Sequence, residues 1–344
     1  MNHVESRFQT RSSTSPSRPC LRHVALSFAL IVWLFVSGVS FVEAASIADY
    51  QEYPKELATQ AQRALPFWSP SVLPELTWFL GDRLDDRPAL VFPPFKSPGL
   101  HQAPESPHQV SLFNANLWLL PFPFARDHGQ RLYDVIAMID RLNPDIVTLQ
   151  EVWLYSHVEP LRTSLPEYWM VLPPLDIFNK TGLVIFSRRE PTRVTYGTFG
   201  RTWLHNPVEH LAGKGYLRAS FDEPQTFDLL CSHAYSPKGK HERAITDNNV
   251  LHLCRLMESS SRPIVLAGDL NTQVPRLQEL LTEGYAWEAD LETRTQARPD
   301  GKKIDYVLGR AGAGTSLAIT SQVLFEPLVS DHLPLIATVT FTPR

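Results

Sequence analysis

The chain is poor in cysteine, in glycine and in surplus positive charge. Its 344 residues include three cysteines, of which Cys20 lies in an N-terminal segment of separate character. Beyond that segment only Cys231 and Cys254 remain, so an exported chain of this kind can form one disulfide at most. One of the two sits in an apolar strand and the other in an amphipathic helix, where two buried thiols are an equally good reading. Sixteen glycines stand against 29 prolines, which makes for stiff loops. There is no low-complexity tract and no short tandem repeat. Lysine and arginine number 32 against 36 aspartates and glutamates. Residues 1–45 hold four arginines and two glutamates, and without them 28 basic and 34 acidic residues leave a net charge of −6. A protein that holds polyanions by charge alone is normally basic, so general nucleic-acid binding is disfavoured, although an enzyme gripping few phosphates is not. Hydrophobic residues make up 43% of the chain, ample for a packed core and too many for a disordered protein.

The first 45 residues stand apart. Arg7, Arg11, Arg18 and Arg22 lead into the uncharged run Val24–Val42, and small residues follow around Ala44 and Ala45. This is the pattern of a cleaved secretory signal, with an uncleaved membrane anchor as the competing reading because the apolar run is long. Either way the remainder is expected outside the cytoplasm, secreted, periplasmic or membrane-anchored, with the basic flank inside. Residues 46–65 suggest a short helix broken at Pro54. Residues 66–107 contain nine prolines and no clear period, which suggests an extended or strapping segment. The division is therefore a leader (1–45), a proline-rich extension (46–107) and a regular domain (108–344).

Within that domain, Val110, Leu112, Phe113 and Leu117 mark a strand ended by Pro121 and Pro123. Leu132, Val135, Ile136, Ile139 and Leu142 recur at helical spacing until Asn143-Pro144. "DIVTLQEVW" follows as a buried strand, and "TGLVIFS" (181–187) and "FDLLCSHAYS" read as further strands. Val250, Leu253, Cys254 and Met257 give a second helix one apolar face. "RPIVLAGDLNT", "KKIDYVLG" and the segment from Leu335 complete the strands. "NPDIVTLQE" and "RPIVLAGD" share one plan: a helix ends, a proline breaks it, an apolar strand runs on and an acid stands at its exit. Two such units facing each other bring Glu151 and Asp269 to one end of a pair of sheets, where sites form on packed-sheet folds.

The residues able to do chemistry are Asn116, Glu151, His233, Asp269, Asn271, Asp305, Asp331 and His332. Each has a plain alternative. Glu151 alone can be a solvated strand end, Asp269-Leu270-Asn271 after Gly268 a turn, His233 a core histidine and Asp331-His332 a local cap. Lys180 and Lys214 read as solvated surface residues. Taken jointly, these alternatives demand several coincidences at strand ends. A cluster of buried carboxylates needs compensating charge, and a divalent cation supplies it. Carboxylate and amide oxygens are hard ligands, and the set lacks paired thiolates or a His-x-x-x-His, so Mg2+ or a similar ion such as Mn2+ is favoured over zinc.

"FNANLW", "LQEVW", "CSHAY", "AGDLNT", "KIDYVLG" and "SDHLPL", in this order, resemble the motifs of the endonuclease/exonuclease/phosphatase superfamily over roughly residues 108–342. The resemblance implies an α/β fold: a four-layer α/β sandwich with two packed mixed β-sheets flanked by helices. It implies metal-dependent hydrolysis of phosphate esters. It also implies roles: Glu151, helped by Asn116, holds the metal, with Asp331 supporting the ion or its waters. Asp269 activates the attacking water, supported by Asn271. His332 meets the phosphate, Asp305 orients His332 and keeps it charged, and His233 is a second donor to the phosphate.

Within the superfamily the chain is most similar to the neutral sphingomyelinase branch, through "NANLWLLP", "LQEVW", "TGLVIFS" and "GKGYL" (213–217). "HERAITDNN" departs from it, with Thr246 and Asn249 where that branch tends to carry Gln and Glu. A membrane surface and a phospholipid or other phosphate-ester substrate are therefore expected. Trp118, Leu119, Leu120, Phe122, Phe124 and Trp153 are candidates for a lipid-facing mouth, or else for ordinary packing. The alternatives are an exported metal-dependent nuclease or other phosphatase, which the acidic balance disfavours in the nuclease case, and a catalytically inactive binding module of the same fold.

Overall fold

The shared plan of residues 109–150 and 227–269 becomes one repeated piece of architecture. A computed structural model of the chain describes residues 86–97, 108–120, 125–174 and 179–344 apart from 180, 201–208, 210–212, 241 and 282. The leader, the helix suggested at 46–65, most of 66–107, Phe122, Phe124 and Lys180 lie outside the described residues. In the first unit, β3 (Gln109–Asn116) leads through α1 (His128–Leu142) to β4 (Ile146–Gln150), which lies parallel to β3. In the second, β9 (Phe227–His233) leads through α3 (Arg243–Glu258) to β10 (Ile264–Asp269), again parallel. All other strand pairs are antiparallel.

Each unit is the centre of a seven-stranded mixed sheet. Around β3 and β4 stand β13 (Thr315–Val323), β14 (Leu335–Pro343), β6 (Val184–Ser187), β5 (Trp169–Leu172) and β2 (Leu90–Phe92), in the order β13-β14-β3-β4-β6-β5-β2. Around β9 and β10 stand β1 (Arg87–Pro88), β7 (Arg193–Thr198), β8 (Gly215–Phe221), β12 (Asp305–Arg310) and β11 (Tyr285–Trp287), in the order β1-β7-β8-β9-β10-β12-β11. Residues 87–92, in the proline-rich stretch, thus add an edge strand to each sheet.

Alternation along the strands builds three apolar layers. On β3, Val110 and Leu112 face the opposite sheet, where Leu229, Cys231, Val265 and Ala267 meet them. Phe113 and Ala115 point the other way, against Leu132, Val135 and Ile139 of α1 and Val158 and Leu161 of α2 (Tyr155–Ser164). On the far side, Leu230, Leu266 and Tyr306 pack against Leu253, Cys254 and Met257 of α3 and Leu277 of α4 (Val274–Leu280). Helices, sheet, sheet and helices make the four layers that the sequence motifs imply. Each fully buried large apolar side chain contributes on the order of 1.5–3 kcal/mol, so these layers hold the ends of the strands rigidly.

Helix α1 stops where its sequence says it must. Asn143 turns left-handed with φ 48°, its N–H bonds Ile139 O at 2.8 Å, and Pro144 cannot continue the ladder. The two cysteines are both buried and both free, which settles the disulfide question in favour of separate thiols. They lie on opposite sides of one sheet, Cys231 between the sheets and Cys254 on the sheet-facing side of α3. Burial raises the Cys231 thiol to about 12 and the Cys254 thiol to about 11.

Candidate active site

Strand register sets the site. Across β9, β10 and β12, His233 is level with Asp269 and Asp269 with Asp305, so three chemical side chains leave one sheet in a row. In the other sheet Asn116 pairs with Gln150, and Glu151 is the next residue. The backbone turns left-handed at Glu151, φ 61°. It is held there by Leu117 N–H to Gln150 O at 3.1 Å and Val152 N–H to Gly182 O at 2.9 Å. Gly182, φ 65°, lets Trp153 lie flat on the backbone: a Cβ there would meet the indole at 2.9 Å. Gly268 has a similar duty, since any side chain at that position would collide with the Ser232 carbonyl on the neighbouring parallel strand.

The two sheets meet over Asn116. Its Nδ2 donates to Glu151 Oε1 at 3.2 Å and to Asp269 Oδ2 at 3.1 Å, while its Oδ1 accepts from Trp118 N–H at 3.0 Å. His233 Nε2 lies 3.3 Å from Asp269 Oδ2 and 4.0 Å from Glu151 Oε1. Asn271, left-handed at φ 49°, donates its N–H to Asp269 Oδ1 at 2.9 Å and its Nδ2–H to Ala234 O at 3.0 Å.

His332 enters from the loop before β14. Its Nδ1 bonds Asp305 Oδ2 at 2.8 Å and Oδ1 at 3.1 Å, and its Nε2 stands 3.8 Å from Asp269 Oδ2. That loop is stitched to a second one: Leu333 N–H donates to Thr295 O at 2.6 Å and Ala297 N–H to Asp331 O at 2.8 Å. The buried Thr295 Oγ1 also accepts the N–H groups of Ile304 and Asp305, each at 3.0 Å. One threonine thereby fixes both members of the Asp–His pair. Asp331 is at the rim, bonded by Ser330 Oγ at 3.1 Å and within electrostatic reach of Glu151 and Asp269.

Burial opposes the charged form of His332, yet Asp305 and Asp269 outweigh it and hold its pKa at about 10. Burial likewise opposes an ionised Asp269, but His332, His233 and Lys214 keep its carboxyl well below the usual range. Burial lifts the Asp305 carboxyl, and the His332 charge pulls it back. The short two-oxygen contact on one imidazole nitrogen is that of an ion pair, so the site holds an imidazolium between carboxylates.

All eight residues singled out in the sequence thus gather at one end of the sheet pair. One reading needs correction. Lys214 is not a solvated surface residue: it is 8% exposed, with Nζ 2.6 Å from His233 Nε2, 3.6 Å from Glu209 Oε2 and 6.0 Å from the centre of the Trp153 ring. The glycines around it in "GKGYL" were the available signal. Of the two readings open for the apolar group, packing holds for Leu119 and Trp153, which are both buried, while Trp118 and Leu120 are half-buried. Thr295 carried no motif and was missed. Thr246 and Asn249, the departures on α3, clamp the backbone of Tyr235: Thr246 Oγ1 donates to its O at 2.9 Å and Asn249 Oδ1 accepts its N–H at 3.0 Å.

The donor set fits a hard divalent cation. Asp269, Asp305 and His332 also offer ligand atoms within 4.8 Å of one another, but an imidazolium paired to Asp305 has no lone pair to give. The oxygens of Glu151, Asp331 and, with its amide turned over, Asn116 are the better ligands.

Comparisons with known proteins bear on the family and the fold. The family model described as Endonuclease/Exonuclease/phosphatase family matches residues 113–332. Among solved structures, humanized D. rerio TDP2 is similar with TM-score 0.58 and 17% identity, covering 68% of this chain and 99% of that one. SmcL has TM-score 0.55 and 17% identity, covering 68% and 100%. Beta toxin from Staphylococcus aureus, a mutant with bound magnesium ions, has TM-score 0.57 and 14% identity, covering 67% and 99%. No curated protein sequence matches.

Proposed function

The chain belongs to the endonuclease/exonuclease/phosphatase family, whose members are metal-dependent phosphoric ester hydrolases, and from that premise we propose that it is a Mg2+-dependent phosphodiesterase of the phospholipase C type. It acts outside the cytoplasm on sphingomyelin or a similar membrane lipid, releasing the phosphorylated headgroup. One observation carries the hydrolytic reading: His233, Asp269 and Asp305 stand level on three adjacent strands, facing Asn116 and Glu151 of the other sheet.

Glu151 and Asn116, with Asp331 at the rim, are the residues that would hold the cation. When bound, the cation neutralises charge on the phosphoryl group. Asp269, held ionised at neutral pH, takes the proton of the attacking water, and the Asn271 N–H fixes the orientation of its carboxylate. The Nδ1–H of His332 donates to the Asp305 carboxylate, which leaves Nε2–H to donate to a non-bridging phosphoryl oxygen. Lys214, whose Nζ lies 2.6 Å from His233 Nε2, supplies a second positive charge beside the phosphate. The lipid assignment is supported by the stretches shared with the sphingomyelinase branch, by the uncharged run Val24–Val42 and by the acidic balance of the remaining chain.

The test is to incubate the purified full chain with vesicles of sphingomyelin or of a phosphoinositide, and separately with DNA, in Mg2+. Release of a water-soluble phosphorylated headgroup, abolished by a chelator, is expected. Nicking of DNA with no headgroup release overturns the lipid reading.

A further inference from the structure

A buried ion pair interrupts the apolar layer between the sheets. Ala286 of β11, Val307 of β12 and Ile319 and Val323 of β13 belong to that layer. Strand alternation puts Glu288, just past the end of β11, and Ser321, between Ile319 and Val323, on the same side as these apolar neighbours. Glu288 and Lys303 are both buried, with Lys303 Nζ 3.2 Å from Glu288 Oε2. Strand β11 stops at Trp287, opposite Leu308, and the Glu288 carboxylate takes up the next N–H of β12: its Oε1 accepts from Val307 at 3.2 Å. Its Oε2 accepts from Ser321 Oγ on β13, which belongs to the other sheet.

Stability alone is a poor reason for such a pair. Burial lifts the Glu288 carboxyl, and Lys303 pulls it back. Removing one member of a buried ion pair is costly, yet replacing both with apolar residues of similar volume is often neutral or stabilising. The place of the pair in the fold gives a better reason. Lys303 stands two residues before Asp305. Ser321 stands two residues before Val323, which pairs with Leu335, three residues after His332. Leu324 N–H to Pro334 O at 2.8 Å closes that connection. The strand that opens with Asp305 and the strand that steers the His332 loop are therefore joined through one carboxylate. Thr295 holds the same two residues from the loop side.

Resting on the phosphodiesterase reading above, we propose that Glu288 and Lys303 are positioning residues for the Asp305–His332 pair. Glu288 fixes β12 against β13, and Lys303 holds the Glu288 carboxylate in the orientation that reaches both strands. Neither touches the substrate. Their effect on the reaction passes through the distance between the Asp305 carboxylate and the His332 ring.

The experiment uses the full chain in Mg2+ with bis(p-nitrophenyl) phosphate, which reports the catalytic centre without a membrane. The double variant Glu288→Met, Lys303→Met removes the bridge and leaves no buried charge unpaired. It is expected to keep its melting temperature and KM while kcat falls about 10²-fold, the cost of a small misplacement of a catalytic group. NMR titration is expected to show the His332 pKa falling from about 10. In Glu288→Gln, Lys303→Met the amide can still bond Val307 N–H and Ser321 Oγ, and about tenfold of the lost kcat is expected to return. Unchanged kcat in the folded Met–Met variant overturns the proposal. So does a lower kcat with no change in the His332 titration, or a lower melting temperature with kcat and titration both unchanged. If the Met–Met variant does not fold, Ser321→Ala decides, since it cuts the link between the sheets and keeps the ion pair. A lower kcat at constant KM supports the proposal there, and an unchanged kcat overturns it. If the unaltered chain hydrolyses neither bis(p-nitrophenyl) phosphate nor sphingomyelin, the phosphodiesterase reading has failed. The His332 titration then reads the positioning by itself: a lower pKa in the variant supports it, and an equal one removes it.

Discussion

Asp305 and His332 are 27 residues apart in the chain and meet with 2.8 Å between Oδ2 and Nδ1. Asp305 opens β12 and His332 lies in the loop before β14, so a strand of one sheet and a loop leading into the other supply the pair. Replacing Asp305 with Asn keeps the shape and removes the charge. We expect Asp305→Asn to lower kcat about 10²–10⁴-fold, the cost of losing a group that supports proton transfer or charge stabilisation. NMR titration should show the His332 imidazole falling from its pKa of about 10 toward the ordinary range.

Asp269→Asn and His332→Ala should each reduce turnover by a similar factor, about 10²–10⁴. Circular dichroism should remain native, because the apolar layers are untouched. Near-normal turnover in either variant would contradict the roles assigned to them.

Chelation of divalent cations should abolish hydrolysis, and added Mg2+ should restore it. Glu151→Gln should raise the Mg2+ concentration needed for half-maximal rate, since one formal charge leaves the ligand set. A titration of rate against Mg2+ measures this.

Lys214→Met preserves the length of a buried side chain and deletes its ammonium. We expect kcat to fall about 10²-fold, comparable to removal of a charge-stabilising donor. Lys214→Arg should recover part of the loss.

His157 offers a pH test away from the catalytic cluster. It is buried on α2 with its ring 4.9 Å from that of His128, and burial pushes its pKa down to about 3. Its folded-state pKa lies below the unfolded value, so the unfolded chain binds the extra proton between these limits. The stability is complete above about pH 6.5 and is lost as pH falls toward 3. His157→Phe should flatten that limb by about 1.4 kcal/mol per pH unit, read from denaturant midpoints at successive pH values.

Much of this was legible before folding. The paired strand-then-acid stretches became the two parallel units, because an apolar run ending in one acid has few other uses. Asn143-Pro144 placed a helix end by sterics alone. The short edge strands were not legible: Arg87–Pro88 and Leu90–Phe92 lie among prolines and acquire strand geometry from β7 and β5. Lys214 was misread because a lone lysine carries no sign of burial. Its environment comes from Trp153, His233 and Glu209, all distant in sequence. Thr295 was invisible for the same reason, since its work is done for backbone groups nine and ten residues away.

The catalytic residues are divided between two sheets whose facing surfaces meet chiefly through side chains. Asn114 Oδ1 accepts from Thr148 Oγ1 at 2.8 Å and Gln150 Nε2 at 2.9 Å, and Gln150 reaches across to Cys231 Sγ at 3.5 Å. A slip of one sheet over the other by a fraction of a bond length would separate Asn116 from Asp269 while leaving every strand intact. Activity is thus a finer gauge of interlayer alignment than any spectroscopic measure of secondary structure.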